Sequence, residues 1–336
     1  MKAVVCHHPG AIELRECADP ATPPSGWVLL DMAYVGLCGT DYHIYEGKHP
    51  FLAYPRVIGH ELSATVADAN GVPGLAAGAR VVVNPYLACG GCIACRNGKP
   101  NCCEAIEVLG VHRDGGLCER LAVPAANLIP VGDLSLRDAA MVEFLAIGAH
   151  AVRRASCTAG HALIVGAGPI GLGTAIFARI AGVSITVADI SAERLDQARA
   201  VLGDVPVLQL TGQNDGPLVR QHQPSGFDAV FDATGNAASI TAGFQHVAHG
   251  GTYVLVSVVK NEITFSDPEF HKREMSLIGS RNATSEDFAH VIASMAAGKV
   301  PINLLATHET SLDRVAEDLP RWAQDKRGLV KALVRI

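Results

Sequence analysis

The chain has 336 residues, of which 49% are hydrophobic and 18% charged, with a formal net charge of -6. A chain this apolar buries a sizeable core, which excludes a disordered protein, and its length suggests two domains. Mild acidity without a Lys/Arg run excludes nucleic acid and anionic membranes as partners, and no window is apolar enough for a membrane span.

In chain order, the first elements are short strand-like runs broken by Gly and Pro, over residues 2–6, 27–35, 63–67, 80–83 and 117–123. Their spacing predicts a compact, mostly β, barrel-like domain. The N-terminal MKAVVCHHPG reads as the first strand, since it has neither a long apolar stretch nor a small-residue cleavage site. Near residue 150 the pattern changes to alternating strand and helix. A strand over 161–165, a helix over 170–181, a strand over 184–189 and a charged helix over 192–202 follow, with Ser191 as N-cap. Residues 227–232 and 252–258 read as further buried strands. This is an α/β signature, a parallel sheet flanked by helices. From about Arg281, one or two helices and a last strand over 329–335 are expected to return to the first domain. The expected division is thus residues 1–151 with 281–336, and residues 152–280.

The second domain opens on a nucleotide loop. Residues 162–171 read ALIVGAGPIG, with Gly166, Gly168 and Gly171 in G-x-G-x-x-G spacing between strand and helix. Gly166 permits the tight turn, Gly168 lets backbone approach a pyrophosphate, and Gly171 lets helix pack on strand; Pro169 and Ile170 open the helix that faces the phosphates. The next strand ends on Asp189, the acid expected for ribose recognition. A carboxylate there holds both ribose hydroxyls of NAD and repels the 2′-phosphate of NADP, so NAD is the expected cofactor. Arg194, on the following helix, is placed near the adenine.

Cys89, Cys92, Cys95 and Cys103 form C-x2-C-x2-C-x7-C, over a lobe of residues 86–106, with Cys102 competing for the fourth place. Four thiolates close a tetrahedral zinc, so this site is structural. A nucleic-acid zinc ribbon is disfavoured because only Arg96 and Lys99 are basic there. The ten cysteines point to a reducing compartment, the cytoplasm, where clustered cysteines bind metal.

The remaining chemistry is dispersed. Residues 37–43 read LCGTDYH, residues 59–61 GHE and residues 141–150 MVEFLAIGAH. Cys38, His60 and Glu143 offer a thiolate, an imidazole and a carboxylate, leaving open the fourth position that catalytic zinc needs. Glu61 is a ligand for an alternate state, and Asp41 is expected to buttress His60.

On the GHE box, the cysteine lobe and the VGAGPIGLG loop, in that order, the chain resembles zinc-containing medium-chain dehydrogenases/reductases over nearly its whole length. Within them it is similar to polyol and sugar-acid dehydrogenases, and the stretches YPRVIGHE, VLGVHRDGG, FSDPEFHK and GSRNATSEDF resemble the bacterial L-galactonate/L-gulonate 5-dehydrogenase group. The resemblance implies a GroES-like catalytic domain plus a Rossmann domain, Cys103 rather than Cys102 as lobe ligand, and Glu as third catalytic ligand. It also implies zinc- and NAD-dependent oxidation of a secondary alcohol on a sugar acid, an aldonate such as L-galactonate or L-gulonate, to the keto acid. Thr40 then passes the proton, through the cofactor ribose, toward His43, and a homodimer or homotetramer is expected. One departure is Phe144, where the family usually has Pro after the Glu. A sugar acid carries a carboxylate, for which Arg281, with Asn282 beside it, is the candidate partner. Alternatives are a neutral polyol or threonine as substrate, and a non-catalytic protein binding NAD and zinc.

Overall fold

The computed structural model describes residues 1–49 and 52–336, which fold into two compact units. One comprises Met1–Glu143, Thr284–Gly298 and Leu305–Ile336; the other comprises Phe144–Ala283 and Lys299–Leu304.

The first unit is built on a mixed sheet whose strands run in the order Leu128–Pro130, Arg80–Val83, Glu61–Asp68, Trp27–Leu37, Lys331–Arg335 and Ala306–Ser311, with Arg120–Pro124 also pairing Trp27–Leu37. A second sheet joins Ala11–Glu16, Lys2–His8 and Arg56–Val57. Val28, Leu30, Val35, Leu62, Ala64, Val66, Val81 and Val83 are shielded from solvent and fill the core with Trp322 and Val334. Such burial is worth about 1.5–3 kcal/mol for each large aliphatic side chain. Trp27–Leu37 is central. It meets Glu61–Asp68 with Gly36 opposite Glu61, and the C-terminal strand with Leu37 opposite Ala332. These two registers bring the GHE box and the chain's last residues to the end of the strand that delivers Cys38.

The second unit holds a parallel six-stranded sheet in the order Val207–Gln209, Ser184–Asp189, His161–Val165, Phe227–Asp232, Val247–Leu255, Ser276–Gly279. His161–Val165 has its sequence successor on one side and Phe227–Asp232 on the other. That reversal opens a crevice beyond the strand's carboxyl end, where open α/β sheets bind ligands. Leu163, Val187 and Phe231 are fully buried, as strands covered on both faces require. Ser191 caps Ala192–Leu202 by accepting from the Arg194 N–H.

Several elements differ from expectation. Ala11–Glu16 and Ala306–Ser311 are strands where none was expected. The strand expected over 252–258 is Val247–Leu255, which runs through Gly250 and Gly251 and stops before Val258. Three helices, Ser285–Ala296, Ile302–Leu305 and Val315–Gln324, precede the last strand. No helix among the described residues is long and apolar enough to cross a membrane.

Candidate active site and nucleotide loop

The nucleotide loop follows from its glycines. Gly166 has φ +97, a left-handed conformation that L side chains rarely adopt. A Cβ on Gly171 would lie 1.7 Å from the Gly166 carbonyl oxygen, so helix Pro169–Ile180 seats on the strand only with Gly there. A Cβ on Gly168 would meet only Arg194 Nη1, at 3.9 Å, and Ile170 is half-buried in the first turn. Asp189 is 6% exposed; its Oδ2 accepts the Ala167 N–H at 2.7 Å and its Oδ1 the Ser191 N–H at 2.8 Å. These bonds fix the carboxylate beside the loop, and Arg194 Nη1 stands 3.9 Å away.

Cys89, Cys92, Cys95 and Cys103 bring four sulfurs within 4.8 Å of one another. Cys103 is buried, whereas Cys102 is exposed and outside the group. Backbone N–H groups of Glu104 and Cys95 pull the Cys92 thiol down to about 6, and burial pushes Cys95 up to about 12. A divalent cation among four thiolates resolves that conflict.

The second cluster comprises Cys38, His60 and Glu61, with one ligand atom of each within 4.8 Å of the others. Cys38 precedes the short helix Gly39–Tyr45, and Asp41 on its first turn binds two backbones: the Cys38 N–H donates to Oδ2 at 2.8 Å and the Gly59 N–H to Oδ1 at 3.0 Å. Asp41 therefore ties together the two segments that carry the thiol and the imidazole. Its support of His60 is electrostatic rather than a hydrogen bond: His60 Nδ1 pairs with Asp41 Oδ1 at 3.8 Å and has no hydrogen-bond partner among the described residues. Gly59 has φ +94, and a Cβ there would lie 2.8 Å from Val35 Cγ1.

Glu61 is fully buried, and its carboxylate lies over Gly36, where a Cβ would be 2.1 Å from Oε2. Lys331, 2% exposed, donates through Nζ to Glu61 Oε1 at 2.5 Å, to Oε2 at 2.8 Å and to the Leu37 carbonyl at 3.2 Å. Glu143, expected as the third ligand, stands outside the Cys38–His60–Glu61 group; its Oε1 accepts the buried hydroxyl of Tyr86. Burial raises the Glu143 carboxyl to about 7, and the Glu61 charge adds to the rise, against His60, Tyr86 and Lys331. Burial opposes a charged His60, but Asp41 and then Cys38 outweigh it and hold the imidazole well above its usual value. Three buried carboxylates and a thiol thus face one lysine and one imidazole. Such a surplus of buried negative charge, with borderline-soft donors, suits Zn²⁺.

Thr40 and His43 occupy that same helix three residues apart, half-buried and exposed respectively. The partial desolvation of its ring, and then the Lys326 charge, lower the His43 pKa. Arg281 is exposed and Asn282 has φ +53, both just past the strand Ser276–Gly279 of the second unit.

Residues 24–133 match the alcohol dehydrogenase GroES-like domain and residues 169–297 the zinc-binding dehydrogenase domain. L-galactonate-5-dehydrogenase of Escherichia coli K12 is 41% identical over 99% of this chain and 98% of its own length. D-altritol 5-dehydrogenase of Agrobacterium fabrum is 33% identical, covering 90% of this chain and 93% of its own. The chain belongs to the zinc-type alcohol dehydrogenases. Among solved structures, one described as a short chain alcohol dehydrogenase of Escherichia coli CFT073, complexed with cofactor NADH, superposes with TM-score 0.93 at 29% identity, covering 100% of this chain and 99% of that one. L-idonate 5-dehydrogenase of Escherichia coli K-12 superposes with TM-score 0.90 at 26% identity, covering 100% and 98%.

Two residues of this dehydrogenase site escaped sequence reasoning. Tyr86 is the first residue of the cysteine lobe and reads as part of it. Lys331 opens a hydrophobic strand, KALVR, in which its four neighbours are apolar or terminal; a lysine facing into such a run was the one available signal.

Proposed function

We propose that this dehydrogenase oxidises a secondary alcohol of a sugar acid, an aldonate such as L-galactonate or L-gulonate, to the keto acid, with NAD as acceptor. The observation that carries the chemistry is the convergence of Cys38, His60 and Glu61 in a largely buried, acid-rich cluster. The substrate class rests on the similarity to L-galactonate-5-dehydrogenase, and the choice of NAD on Asp189, whose carboxylate is held where a ribose acid is needed.

Cys38, His60 and Glu61 would hold zinc, with Glu143, the expected third ligand, bound beside them by Tyr86; the metal would supply a Lewis acid that makes a substrate hydroxyl acidic near neutral pH, and NAD would supply the hydride acceptor. The chain does the rest. Asp41 keeps the Cys38 and Gly59 backbones in register, so thiol and imidazole converge. Thr40 Oγ1, 3.9 Å from Cys38 Sγ, would accept the substrate hydroxyl proton while releasing its own toward His43, one helical turn on, which passes a proton to solvent. The lowered His43 pKa favours the neutral ring that accepts this proton. Cys89, Cys92, Cys95 and Cys103 hold the structural zinc. Gly166, Gly168, Pro169, Ile170 and Gly171 line the pyrophosphate, with Arg194 toward the adenosine half. Arg281 and Asn282 bind the substrate carboxylate. Ten cysteines without a disulfide suit the reducing cytoplasm, and a homodimer or homotetramer is the assembly we propose.

The test is NAD reduction by zinc-loaded protein with L-galactonate, L-gulonate, sorbitol and threonine. Turnover of the aldonates well above the others is expected; preference for sorbitol or threonine overturns the substrate reading. Arg281→Ala should raise KM for aldonates far more than for neutral polyols, and an equal effect on both removes Arg281 from the carboxylate site.

A further inference from the structure

The pocket contains two carboxylates where one third ligand suffices. Both are buried, they repel each other, and each has its own hydrogen-bond donor. Lys331 takes both oxygens of Glu61, which nonetheless stays within ligand distance of Cys38 and His60. Glu143 gives its Oε1 to Tyr86 and stays out of that group.

Tyr86 is held firmly. Its N–H donates to Asn84 Oδ1 at 3.1 Å, its carbonyl accepts Asn127 Nδ2 at 3.1 Å, and the same amide reaches the Asn84 carbonyl at 2.8 Å. Its short strand Tyr86–Leu87 pairs with Glu107–Val108, the two strands flanking the four-cysteine lobe in sequence. The ring is buried, so its hydroxyl cannot turn to water. The Glu143 side chain has three rotatable bonds and begins on the first turn of helix Val142–Ala155.

We propose that Tyr86 is a positioning residue of the zinc site: its hydroxyl withholds the Glu143 carboxylate from the metal and so keeps open the coordination position that the substrate alcohol needs. The inference rests on the zinc dehydrogenase reading. Without the hydroxyl, Glu143 is an unsatisfied buried acid near a cation, and ligation is its best remaining partner. A hydrogen bond to a charged group weights such an equilibrium by on the order of 10- to 100-fold.

The experiment uses the full chain with zinc kept in the four-cysteine lobe and cobalt(II) placed at Cys38–His60. Tyr86→Phe should alter the visible ligand-field absorption of the cobalt, slow metal loss to a chelator, and lower kcat by on the order of 10-fold or more with a smaller change in KM. Adding Glu143→Gln to Tyr86→Phe should return the cobalt spectrum toward the parent and recover part of kcat, because an amide is the weaker ligand. A Tyr86→Phe protein with the parent spectrum and parent chelator kinetics overturns the proposal, whatever its activity. So does a changed spectrum that Glu143→Gln leaves in place. If the parent protein takes up no cobalt at Cys38–His60, the zinc reading itself falls, and the proposal with it.

Discussion

Replacing Lys331 by Met keeps most of the side-chain volume and removes the charge. Lys331 and Glu61 are 2% and 0% exposed, and the ammonium spans both carboxylate oxygens at 2.5 and 2.8 Å. Removing one partner of such a buried pair costs about 3–5 kcal/mol, because the other charge is left uncompensated. A cation at Cys38, His60 and Glu61 compensates the same carboxylate, so with zinc bound the cost should shrink to about 1–2 kcal/mol, that of a lost charged hydrogen bond. In a unit of this size each kcal/mol moves the midpoint by roughly 2–4 °C. Lys331→Met should therefore melt roughly 10 °C below the parent with the metal stripped, and only a few degrees below it at saturating zinc. Circular dichroism melts of both proteins in both metal states measure this, and the double difference cancels the effect of stripping the cysteine lobe. An equal loss in the two states would refute the charge argument and leave Lys331 a packing residue. A loss under about 1 kcal/mol in the stripped protein would refute the claim that Glu61 depends on it.

Gly171→Ala places a Cβ 1.7 Å from the Gly166 carbonyl oxygen, a backbone atom that cannot swing aside, so the loop must move. We expect a stability loss of about 1–3 kcal/mol and NAD binding weakened by at least about tenfold, read by melting and by cofactor titration. Cys103→Ser should cost one zinc per subunit by metal analysis, whereas Cys102→Ser, on an exposed residue outside the sulfur group, should cost none. His246 is 6% exposed, and burial, with Arg220, lowers its pKa to about 4. The folded state thus binds fewer protons than the unfolded one between about pH 4 and the ordinary 6.5. The neutral ring's contribution is present above 6.5 and is lost as the pH falls to 4, by up to about 3 kcal/mol. His246→Asn should lose correspondingly less stability over that window in denaturant titrations, and an unchanged pH dependence contradicts the assignment.

What could be read in the chain itself was local. The strands His161–Val165, Ser184–Asp189 and Phe227–Asp232 and the helix Ala192–Leu202 have the limits expected of them, because buried parallel strands are continuous apolar runs and Ser191 caps the helix through its own third neighbour. The glycine loop and the cysteine lobe were legible for the same reason: tight turns and metal loops write their geometry into residue spacing. Ala11–Glu16 and Ala306–Ser311 were not, since these strands carry exposed polar side chains and are strands only because a neighbour pairs with them.

The zinc pocket divides along the same line. Cys38, His60, Glu61 and Glu143 announce a metal by their chemistry wherever the chain places them. Their partners were decided in three dimensions. Glu61 meets Lys331 from 270 positions away, through the antiparallel pairing of the last strand with Trp27–Leu37. Glu143 meets Tyr86 across 57 positions, and Asp41, besides pairing with the imidazole, binds the backbones of Cys38 and Gly59. Spacing reports what a segment can bind; which of two equivalent carboxylates is free to bind depends on the donors that strand register brings against each, and those donors lie far away in sequence.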